Sequence, residues 1–427
     1  MYEKFKRSEW FRHDRFGMFI HWGLYSIPAR GEWSRGSHQI PDDLYYSYFD
    51  QFNPEKYNPR EWARVAKEAG MKYAVLTAKH HDGFCLFDSA LTDFKATNTP
   101  AGRDLVREYV EAFREVGLKV GLYYSIIDWD HPAYPAYQHH SHPHRNDEAY
   151  KERRPFSEYL EYMHGQIREL CSNYGKIDIL WFDYSYNEMT GEKWAATKLI
   201  KMVRELQPDV LTDNRLEVSG TGFGSLATAE PKFYSGDFVS PECIIPPRGI
   251  VNELGEPIPW EACITLNDNW GYSSTDTNYK DESIVVRKLV ECVSKGGNLL
   301  LNVGPDAYGR IPTRSKEILA KVGEWMEDNS EAIYGGGLSD LDKPEWGRYI
   351  QKGDIIYACV MDFPVGPLSL PGIPADRIEY MRLLNDSSEL MPFSDWRTSN
   401  YKDVTYVNIP RYDMYNKIYT VLKIKLK

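Results

Sequence analysis

The sequence predicts an α/β protein, with a (β/α)8-like barrel over residues 1–337 followed by a small C-terminal antiparallel β-sandwich over residues 338–427. Short apolar runs alternate with helical patterns over most of the chain, which is typical of a parallel sheet. Near EAIYGGG (331–337) the pattern changes to short alternating runs broken by Pro, Gly, Asn and Asp, which is typical of antiparallel strands. The length of 427 residues and the number of strand–helix units favour a barrel over an open sheet.

Short apolar runs bounded by turn signals are the predicted barrel strands. They are MFIHWG (18–23), YAVLTA (73–78), KVGLYYS (119–125), IDILWFD (177–183), DVLTDN (209–214) and NLLLNVG (298–304). The segments between them carry apolar residues at helical spacing, and several end in Gly, a helix stop signal. They are PREWARVAKEAG (59–70), RDLVREYVEAFREVG (103–117), FSEYLEYMHGQIRELCSNYG (156–175), KWAATKLIKMVREL (193–206), SIVVRKLVECVSKGG (283–297) and TRSKEILAKVGEWMEDN (313–329). The predicted C-terminal strands are RYIQKG, DIIYACVMD, RIEYMRLL, VTYVNI and KIYTVLKIKLK.

The composition is that of an acidic globular protein rich in aromatic residues. Hydrophobic residues make up 42% and charged residues 26% of the chain, which are ordinary proportions. The 51 Lys and Arg against 62 Asp and Glu give a formal charge of −11, which argues against a nucleic-acid partner because nucleic acid is bound by a basic face. The 12 Trp, 31 Tyr and 17 Phe suit a ligand that is half apolar and half polar, such as a sugar.

The sequence shows no targeting or membrane segment. The first residues, MYEKFKRSEWFRHDRFG, contain no apolar stretch typical of a signal peptide, and no run of about 18 apolar residues occurs. The six cysteines are widely spaced without a CxxC pair, which favours reduced thiols over a disulfide framework or a zinc ribbon. We therefore expect a cytoplasmic protein without a membrane partner, or a secreted one if a leader has been removed. A homo-oligomer is left open.

In a parallel barrel, catalytic residues collect at the C-terminal ends of the strands. The residues at the predicted strand ends are His21, Trp22, Lys79, His80, His81, Asp82, Tyr123, Tyr124, Ser125, Trp181, Asp183, Asp213, Asn214, Arg215, Asn302 and Gly304. They predict one polar, aromatic-walled and titratable site. Asp183 is singled out because the apolar stretch ILWF carries it to this rim. It is either a functional carboxylate or a structural one that caps the next helix or pairs with Arg215.

Metal binding is the main alternative chemistry. His80, His81 and Asp82 carry metal-ligating groups, but adjacent residues on an extended segment point to opposite sides, so the histidine pair cannot easily bind one ion. A second cluster, QHHSHPHR (138–145), lies in a Pro-rich loop and is interpreted as a solvated surface. The chain has no HExxH, P-loop, strand-following GxGxxG or GxSxG motif. A chelator distinguishes a metal-dependent hydrolase from an enzyme that uses a pair of carboxylates, because only the metal-dependent hydrolase would lose activity.

A series of motifs resembles one known family. The motifs are, in order, RFGMFIHWGLYSIP, GEWS, AKHHDGFCLF, GLYYS, WFDY, DNR, GDFVSPE, PWEACITLNDNWGY and SKGGNLLLNVGPDAYG. From about residue 8 to residue 336 the chain resembles the retaining α-L-fucosidases of glycoside hydrolase family 29, and the C-terminal segment resembles that family only as a β-domain. The resemblance implies hydrolysis of terminal α-L-fucosyl linkages in fucosylated oligosaccharides or glycoconjugates, with no metal or organic cofactor.

The same resemblance implies the roles of individual residues. The WFD motif makes Asp183 the nucleophile of a double displacement. The implied fucose-binding residues are His21, Glu32, Trp33, His80, His81, Tyr123, Trp181 and Arg215, with Glu261 and Trp270 as further pocket residues. Fucose hydroxyls need hydrogen-bond donors and acceptors, and its C5 methyl and C–H face need an apolar wall. The candidates for that wall are Trp33, Phe84, Trp181 and Trp270.

The acid/base is left between three glutamates. A retaining glycosidase needs a second carboxyl about 5–5.5 Å from the nucleophile, with a raised pKa while the nucleophile stays ionised. In the family this residue lies on a variable loop after the DNR strand, and the candidates are Glu230, Glu242 and Glu261. The family pattern of DF followed shortly by Glu favours Glu242.

Three features depart from the family. They are the short stretch between His21 and Glu32, the brief β-domain and the sequence YSYNE after Asp183. They leave the leaving-group preference open, and we expect relaxed linkage specificity that includes simple aryl fucosides. A third functional class is a carbohydrate-binding protein without catalysis. The presence of both Asp183 and a candidate acid argues against this class.

Overall fold

The first part of the chain forms a parallel sheet that curls into a half-barrel. The computed structural model describes residues 6–152, 154–220, 222–401, 404–409 and 418–427. The parallel strands are β1 (Phe16–Ile20), β2 (Tyr73–Lys79), β3 (Lys119–Ser125), β4 (Ile179–Asp183), β5 (Leu211–Thr212), β6 (Glu261–Thr265) and β7 (Asn298–Val303). Their order in the sheet is β5-β4-β3-β2-β1-β7-β6, so all seven strands point the same way and their C-terminal ends form one rim.

The helices lie mostly between consecutive strands. They are α1 (Glu9–Asp14), α2 (Ser34–Ser37), α3 (Asp42–Gln51), α4 (Pro59–Glu68), α5 (Leu105–Glu115), α6 (Phe156–Asn173), α7 (Ala196–Leu206), α8 (Glu282–Ser294) and α9 (Thr313–Ile333). The sequence explains where several of them begin. The side chains of Asn58, Asp104 and Asp281 accept hydrogen bonds from the first turns of α4, α5 and α8, which satisfies backbone donors that have no partner inside the helix.

A short segment, residues 238–242, fills the gap between β5 and β6. It makes isolated parallel bridges on both sides, and the bridged pairs are Asp213 with Phe238, Val239 with Trp260, and Glu242 with Cys263. Pro241 has no backbone N–H to donate, so a regular ladder cannot run through the segment. The segment occupies the position of an eighth strand, and it brings Glu242 to the same rim as the strand ends.

The barrel interior is packed with large side chains. Phe19, Tyr123 and Trp181 belong to one buried cluster with Phe238 from the closing segment, and Phe11 of α1 packs on Phe238 with ring centroids 4.7 Å apart. The barrel interior below the rim is therefore filled by side chains, and a ligand can bind only at the C-terminal end of the barrel.

The predicted architecture is confirmed, with differences at particular elements. The first strand begins at Phe16, two residues earlier than the sequence pattern indicates. The predicted strand DVLTDN is reduced to Leu211–Thr212, because the chain after it turns away to reach the closing segment. β6 and the closing segment are not found by the sequence analysis, since EACIT is short and its strand-forming residues are interrupted by small ones.

The C-terminal part forms two antiparallel sheets. Their strands are β8 (Gly347–Lys352), β9 (Ile355–Val360), β10 (Leu368–Leu370), β11 (Ile378–Leu383), β12 (Glu389–Leu390), β13 (Pro392–Phe393), β14 (Thr405–Val407) and β15 (Thr420–Leu426). The sheet orders are β12-β11-β15-β9-β8 and β10-β14-β13. A separate apolar core, including Trp346, Leu370 and Ile424, lies between them. Each predicted C-terminal run contains one of these strands, although the run that starts at Lys417 begins outside the described residues.

The described part of the chain contains neither a membrane-spanning helix nor a disulfide. No helix among the described residues is long and apolar enough to cross a membrane. The six cysteines, all of them in described segments, form no disulfide, and five of them are buried.

Gly236 is expected to be necessary for barrel closure. Its φ is +83°, and a Cβ built on it would lie 2.2 Å from the backbone oxygen of Asp213. Gly236→Ala should therefore lower the melting temperature by combining a left-handed backbone with a clash against immovable backbone. Gly255→Ala is the matched control, because Gly255 has a φ of +76° with nothing within 4 Å. It should cost only about 1 kcal/mol. Equal melting temperatures for the two variants would contradict this account of the closure.

Candidate active site

A pocket of about 600 Å³ opens at the C-terminal rim of the barrel. Its inner wall comes from the strand ends and the segments that follow them. The residues of this inner wall are Phe19, His21, Trp33, His80, His81, Tyr123, Trp181, Asp183, Arg215, Glu242, Cys263 and Trp270. The sequence analysis names all of these except Phe19 and Cys263 as candidates, so the strand-end rule and the motifs together locate the pocket.

Asp183 is the last residue of β4 and its carboxylate is held from two sides. The Tyr123 hydroxyl donates to Oδ2 at 2.7 Å, and Arg215 Nη1 donates to Oδ1 at 2.9 Å. Burial raises the pKa of Asp183 to about 6, against the lowering effect of Arg215, and the charge of Glu242 raises it further. Both oxygens are fixed in position, so this carboxylate faces the pocket in one orientation.

Glu242 shares its cationic partner with Asp183. Arg215 Nη1 contacts Glu242 Oε2 at 3.1 Å and Asp183 Oδ1 at 2.9 Å, so these two carboxylate oxygens lie no more than 6.0 Å apart. Opposed carboxyls in retaining glycosidases are about 5–5.5 Å apart, and those in inverting glycosidases are about 6.5–9.5 Å apart. The Asp183–Glu242 spacing therefore falls below the inverting range.

Arg215 is itself fixed by contacts on every side. Its Nε donates to Ser240 Oγ at 2.9 Å, its Nη2 donates to the Ser240 carbonyl at 3.1 Å, and its guanidinium carbon lies 4.8 Å from the Trp181 ring centroid. Gly220 leaves room for this arrangement, because a Cβ there would lie 2.7 Å from Arg215 Nη2 and 2.9 Å from Glu242 Oε2. A buried guanidinium with all these partners cannot rotate away from the two carboxylates.

His21 and His81 are neutral and present hydrogen-bond acceptors. Asn302 donates its amide to the Trp270 carbonyl, so its Oδ1 accepts from His21 Nδ1 at 2.7 Å. Ser125 donates to the Ile127 carbonyl, so its oxygen accepts from His81 Nδ1 at 2.7 Å. Burial lowers the pKa of His21 to about 3 and the pKa of His81 well below its usual value. Each ring therefore keeps an unprotonated Nε2, which can accept from a hydroxyl of a ligand.

Glu32 and Trp33 come from the loop after β1 and reach the site differently. Trp33 lines the pocket, with its ring centroid 5.1 Å from that of His81. Glu32 is buried behind the wall, where its Oε2 accepts from the Gly271 backbone N–H at 2.7 Å. Burial raises the pKa of Glu32 to about 7. In this structure Glu32 fixes the Trp270–Gly271 segment, and the pocket surface is formed by Trp270.

The other two glutamate candidates lie away from the pocket surface. Glu230 is exposed in a loop. Glu261 is the first residue of β6, two residues before Cys263, which is bridged to Glu242. At about 3.3 Å per residue it lies about 7 Å deeper in the barrel. The Tyr73 hydroxyl donates to its Oε2 there, and burial raises its pKa to about 8.

The structure contradicts three interpretations of the sequence. His80 and His81 lie on the same side, with ring centroids 4.0 Å apart, because β2 ends at Lys79 and the chain turns at once. The cluster at 138–145 is not a solvated surface, since His139 and His142 are buried and His140 lines the pocket. Phe84 does not contribute to the pocket wall, because its ring packs against Phe52 and other core aromatics.

Loop residues that the sequence analysis did not assign to the site form the outer part of the pocket. They are His140, Tyr184, Ser185, Tyr186, Asn187, Ser219 and Gly220. Tyr184 directly follows Asp183 and has a φ of +87°, which costs a bulky residue on the order of 1–3 kcal/mol. Its backbone N–H faces the Asp183 carboxylate and helps to lower that pKa. The strand-end rule could have found Tyr184 by extension one residue further. The sequence signals for the others were the departure YSYNE after Asp183, which includes Tyr186 and Asn187, and the histidine cluster at 138–145, which includes His140.

Metal-ligating side chains do not converge in the described part of the chain. Within residues 6–152, 154–220, 222–401, 404–409 and 418–427, no group of three or more His, Cys, Asp or Glu side chains is arranged to hold an ion. The two carboxylates and the arginine are the charged groups that line the pocket. Such an arrangement can supply a nucleophile, a proton donor and a cation at one bond of a ligand.

Comparisons with known proteins agree with one another. The family model described as alpha-L-fucosidase matches residues 2–331. The alpha-L-fucosidase of Branchiostoma floridae is 31% identical and aligns over 86% of this chain and 81% of its own length. Human plasma alpha-L-fucosidase is 29% identical over 86% of this chain and 78% of its own.

Solved structures extend the similarity to the whole chain. Alpha-L-fucosidase isoenzyme 1 from Paenibacillus thiaminolyticus is 57% identical, with a TM-score of 0.96 and 100% coverage of both chains. A family 29 alpha-L-fucosidase from Bacteroides thetaiotaomicron is 29% identical, with a TM-score of 0.83 over 99% of this chain and 96% of that one. That structure is described as a trapped covalent intermediate with 2-fluoro-fucosyl fluoride.

Protonation of Glu261 is expected to couple stability to pH. Its pKa is raised to about 8 in the folded chain from an ordinary 4.5, so the folded state binds a proton that the unfolded state has lost between these values. Its stabilising effect is complete below about pH 4.5 and is lost as pH rises towards 8. We therefore expect the melting temperature of the wild-type protein to decline between pH 5 and 8, and we expect Glu261→Gln to flatten this decline.

The control for this measurement is Glu230→Gln, which changes an exposed glutamate. It should leave the pH dependence of the melting temperature as in the wild type. If Glu261→Gln and the wild type decline in parallel, Glu261 is ionised in the folded protein and the assigned protonation is wrong.

Proposed function

This chain belongs to the α-L-fucosidase family, and we propose that Asp183 is its nucleophile and Glu242 its acid/base. As a member of that family it is a retaining glycoside hydrolase. The proposed substrates are terminal α-L-fucosyl linkages in fucosylated oligosaccharides or glycoconjugates. The observation that carries the assignment is the contact of Arg215 with both carboxylates. Because Arg215 Nη1 contacts one oxygen of each, these two oxygens are at most 6.0 Å apart.

In the first step the Asp183 carboxylate attacks the anomeric carbon of fucose. The bond from that carbon to the leaving oxygen breaks while Glu242 gives its proton to this oxygen. A fucosyl ester with β configuration forms through an oxocarbenium-like transition state. Tyr123 and Arg215, at 2.7 and 2.9 Å from the two Asp183 oxygens, orient the carboxylate for this attack.

In the second step Glu242, now ionised, takes a proton from water. The water oxygen attacks the anomeric carbon, the ester bond to Asp183 breaks, and α-L-fucose leaves with its configuration retained. Arg215 stays within contact of both carboxylates and stabilises whichever of them is negative. The Bacteroides thetaiotaomicron relative, whose structure is described as a covalent intermediate, supports a fucosyl-enzyme on this chain.

Recognition of fucose follows from the chemistry of the inner wall. The unprotonated Nε2 atoms of His21 and His81 accept hydrogen bonds from sugar hydroxyls, and Arg215 donates. Trp181 and Trp270 offer apolar surface to the C5 methyl and the C–H face. A sugar with a different hydroxyl arrangement would leave buried acceptors unpaired, which discriminates strongly against it.

The Asp183 assignment predicts a nucleophile variant that can be rescued chemically. Asp183→Gly should lower kcat for an aryl fucoside by at least about 10³-fold, because no covalent ester can form. Added azide should restore turnover and give the β-fucosyl azide, because the small anion attacks from the side that Asp183 occupied. NMR of the azide product provides the readout. A near-normal rate without azide would remove Asp183 from the mechanism.

The Glu242 assignment predicts a dependence on the leaving group. Glu242→Ala should reduce kcat/KM for a fucosyl disaccharide at least about 10²-fold, because the sugar oxygen needs a proton to leave. It should reduce kcat/KM for 4-nitrophenyl fucoside far less, because nitrophenolate leaves without one. Glu261→Ala is the matched control. If Glu261→Ala gives this leaving-group pattern and Glu242→Ala does not, the acid/base has been assigned to the wrong glutamate.

A further inference from the structure

The pocket extends outward beyond the residues that the proposed mechanism uses. Of the seven loop residues that line this outer part, four have a ring or an amide side chain, and we call these four the outer rim: His140, Tyr184, Tyr186 and Asn187. Pockets of several hundred Å³ hold drug-sized ligands, whereas a single deoxyhexose is smaller than such ligands. A fucosyl unit against the inner wall therefore leaves the outer rim free for a second group.

The outer rim is aromatic, and its members are connected. His140 Nε2 lies 2.7 Å from the Tyr184 hydroxyl, and the two rings are stacked with an interplanar angle of 18°. The Tyr186 ring centroid lies 5.6 Å from that of His140 and 6.0 Å from that of Tyr184. His140 is exposed while the two tyrosines are half-buried, so part of this aromatic surface is open to solvent.

The outer rim begins next to the bond that would be cut. Tyr184 follows the proposed nucleophile Asp183 in the chain, and its ring centroid lies 4.9 Å from that of His81 and 5.5 Å from that of Trp33. A group attached to the anomeric oxygen of fucose must leave the inner wall past these rings. The leaving group and the outer rim therefore occupy the same part of the pocket.

The backbone of the outer rim is held in an uncommon conformation. Tyr184 has a φ of +87° and Asn187 a φ of +45°, in the left-handed region that non-glycine residues seldom adopt. Strain of this kind persists where the surroundings fix it, and it is concentrated at ligand-binding positions. At this rim it turns Tyr184 towards Trp33 and His140.

We propose that the outer rim is a binding site for the pyranose ring of the leaving group, with Tyr184 and Tyr186 as its apolar surface and His140 and Asn187 as its hydroxyl-binding groups. The proposal rests on the proposed function, because the leaving group is defined by the cleavage at fucose. A pyranose has a C–H face that packs on aromatic rings and hydroxyls that bind an imidazole and an amide. A flat aryl group could use only the first of these contacts.

Three donors with the same fucosyl group separate the outer rim from the inner wall. α-L-fucosyl fluoride has no ring in the leaving group, 4-nitrophenyl fucoside has a ring without sugar hydroxyls, and a fucosyl-galactose disaccharide has the full pyranose. The measured quantity is the ratio of kcat/KM for the disaccharide to kcat/KM for the fluoride. This ratio cancels effects on the nucleophile and on fucose binding.

Two exposed rim residues are suitable for substitution, because neither packs in the core. His140→Ala and Asn187→Ala should each lower the disaccharide-to-fluoride ratio about fivefold to tenfold. The ratio for the nitrophenyl donor should fall less than twofold with Asn187→Ala. His38→Ala, an exposed histidine outside the pocket, is the matched control and should leave all ratios unchanged. Melting temperatures within a degree or two of the wild type verify the fold of each variant.

A second measurement tests the site with a free sugar. With fucosyl fluoride as donor, methyl β-D-galactopyranoside can replace water: its hydroxyl oxygen bonds to the anomeric carbon, the ester bond to Asp183 breaks, and Glu242 takes the hydroxyl proton. The ratio of transfer to hydrolysis reports how well the outer rim holds the acceptor. It should fall in both rim variants and stay constant in His38→Ala.

The outcomes separate the sugar site at the outer rim from the proposed cleavage at fucose. Ratios within twofold of the wild type in both rim variants would overturn the outer rim as a sugar site, while turnover of the fluoride would leave the proposed function standing. Equal losses for the nitrophenyl donor and the disaccharide in Asn187→Ala would overturn its assignment to sugar hydroxyls. A wild-type protein that releases fucose from none of the three donors would overturn the proposed function, and this inference with it.

Discussion

The buried guanidinium of Arg215 is the interaction on which the site depends. Two carboxylates that share one pocket repel each other, yet two oxygens of Asp183 and Glu242 lie within 6.0 Å of each other. Arg215 compensates for this repulsion only if it cannot move to solvent. The hydrogen bond to Ser240 and the contact with the Trp181 ring oppose that movement and hold the cation between the two carboxylates.

The segment that closes the barrel therefore also forms part of the candidate active site. Arg215 follows the short strand β5, whereas Ser240 and Glu242 belong to the closing segment at residues 238–242. The segment completes the barrel between β5 and β6, and the same hydrogen bonds that hold it there define the position of Glu242. A change that displaced the closing segment would therefore also displace Glu242 and the Ser240 contacts of Arg215.

The sequence predicts the inner wall well and the rest of the pocket poorly. Strand ends can be recognised from apolar runs, so His21, Asp183 and Arg215 are found without any structure. The depth of a residue in the barrel can be predicted only when its strand is found. Glu261 begins β6, which the sequence analysis missed, so Glu261 remained a candidate acid/base beside Glu242. His140 could not be predicted, because a Pro-rich, His-rich loop has the composition of a surface whether or not it folds over a pocket.

Burial shifts the pKa values of acids and bases around this pocket in opposite directions. Both shifts favour the neutral forms. Burial removes protons from His21 and His81, whose charged forms are poorly solvated, and it retains protons on carboxyls. The pKa of Asp82 is raised to about 6 and that of Glu32 to about 7, both chiefly by burial. As pH rises through this interval these carboxyls ionise and the folded state loses stability. The pKa of Asp183, the proposed nucleophile, is raised to about 6 by the same burial, so its carboxyl ionises over the same interval. One desolvated barrel rim therefore holds both the proposed reactive carboxyl and the buried carboxyls whose ionisation destabilises the folded state.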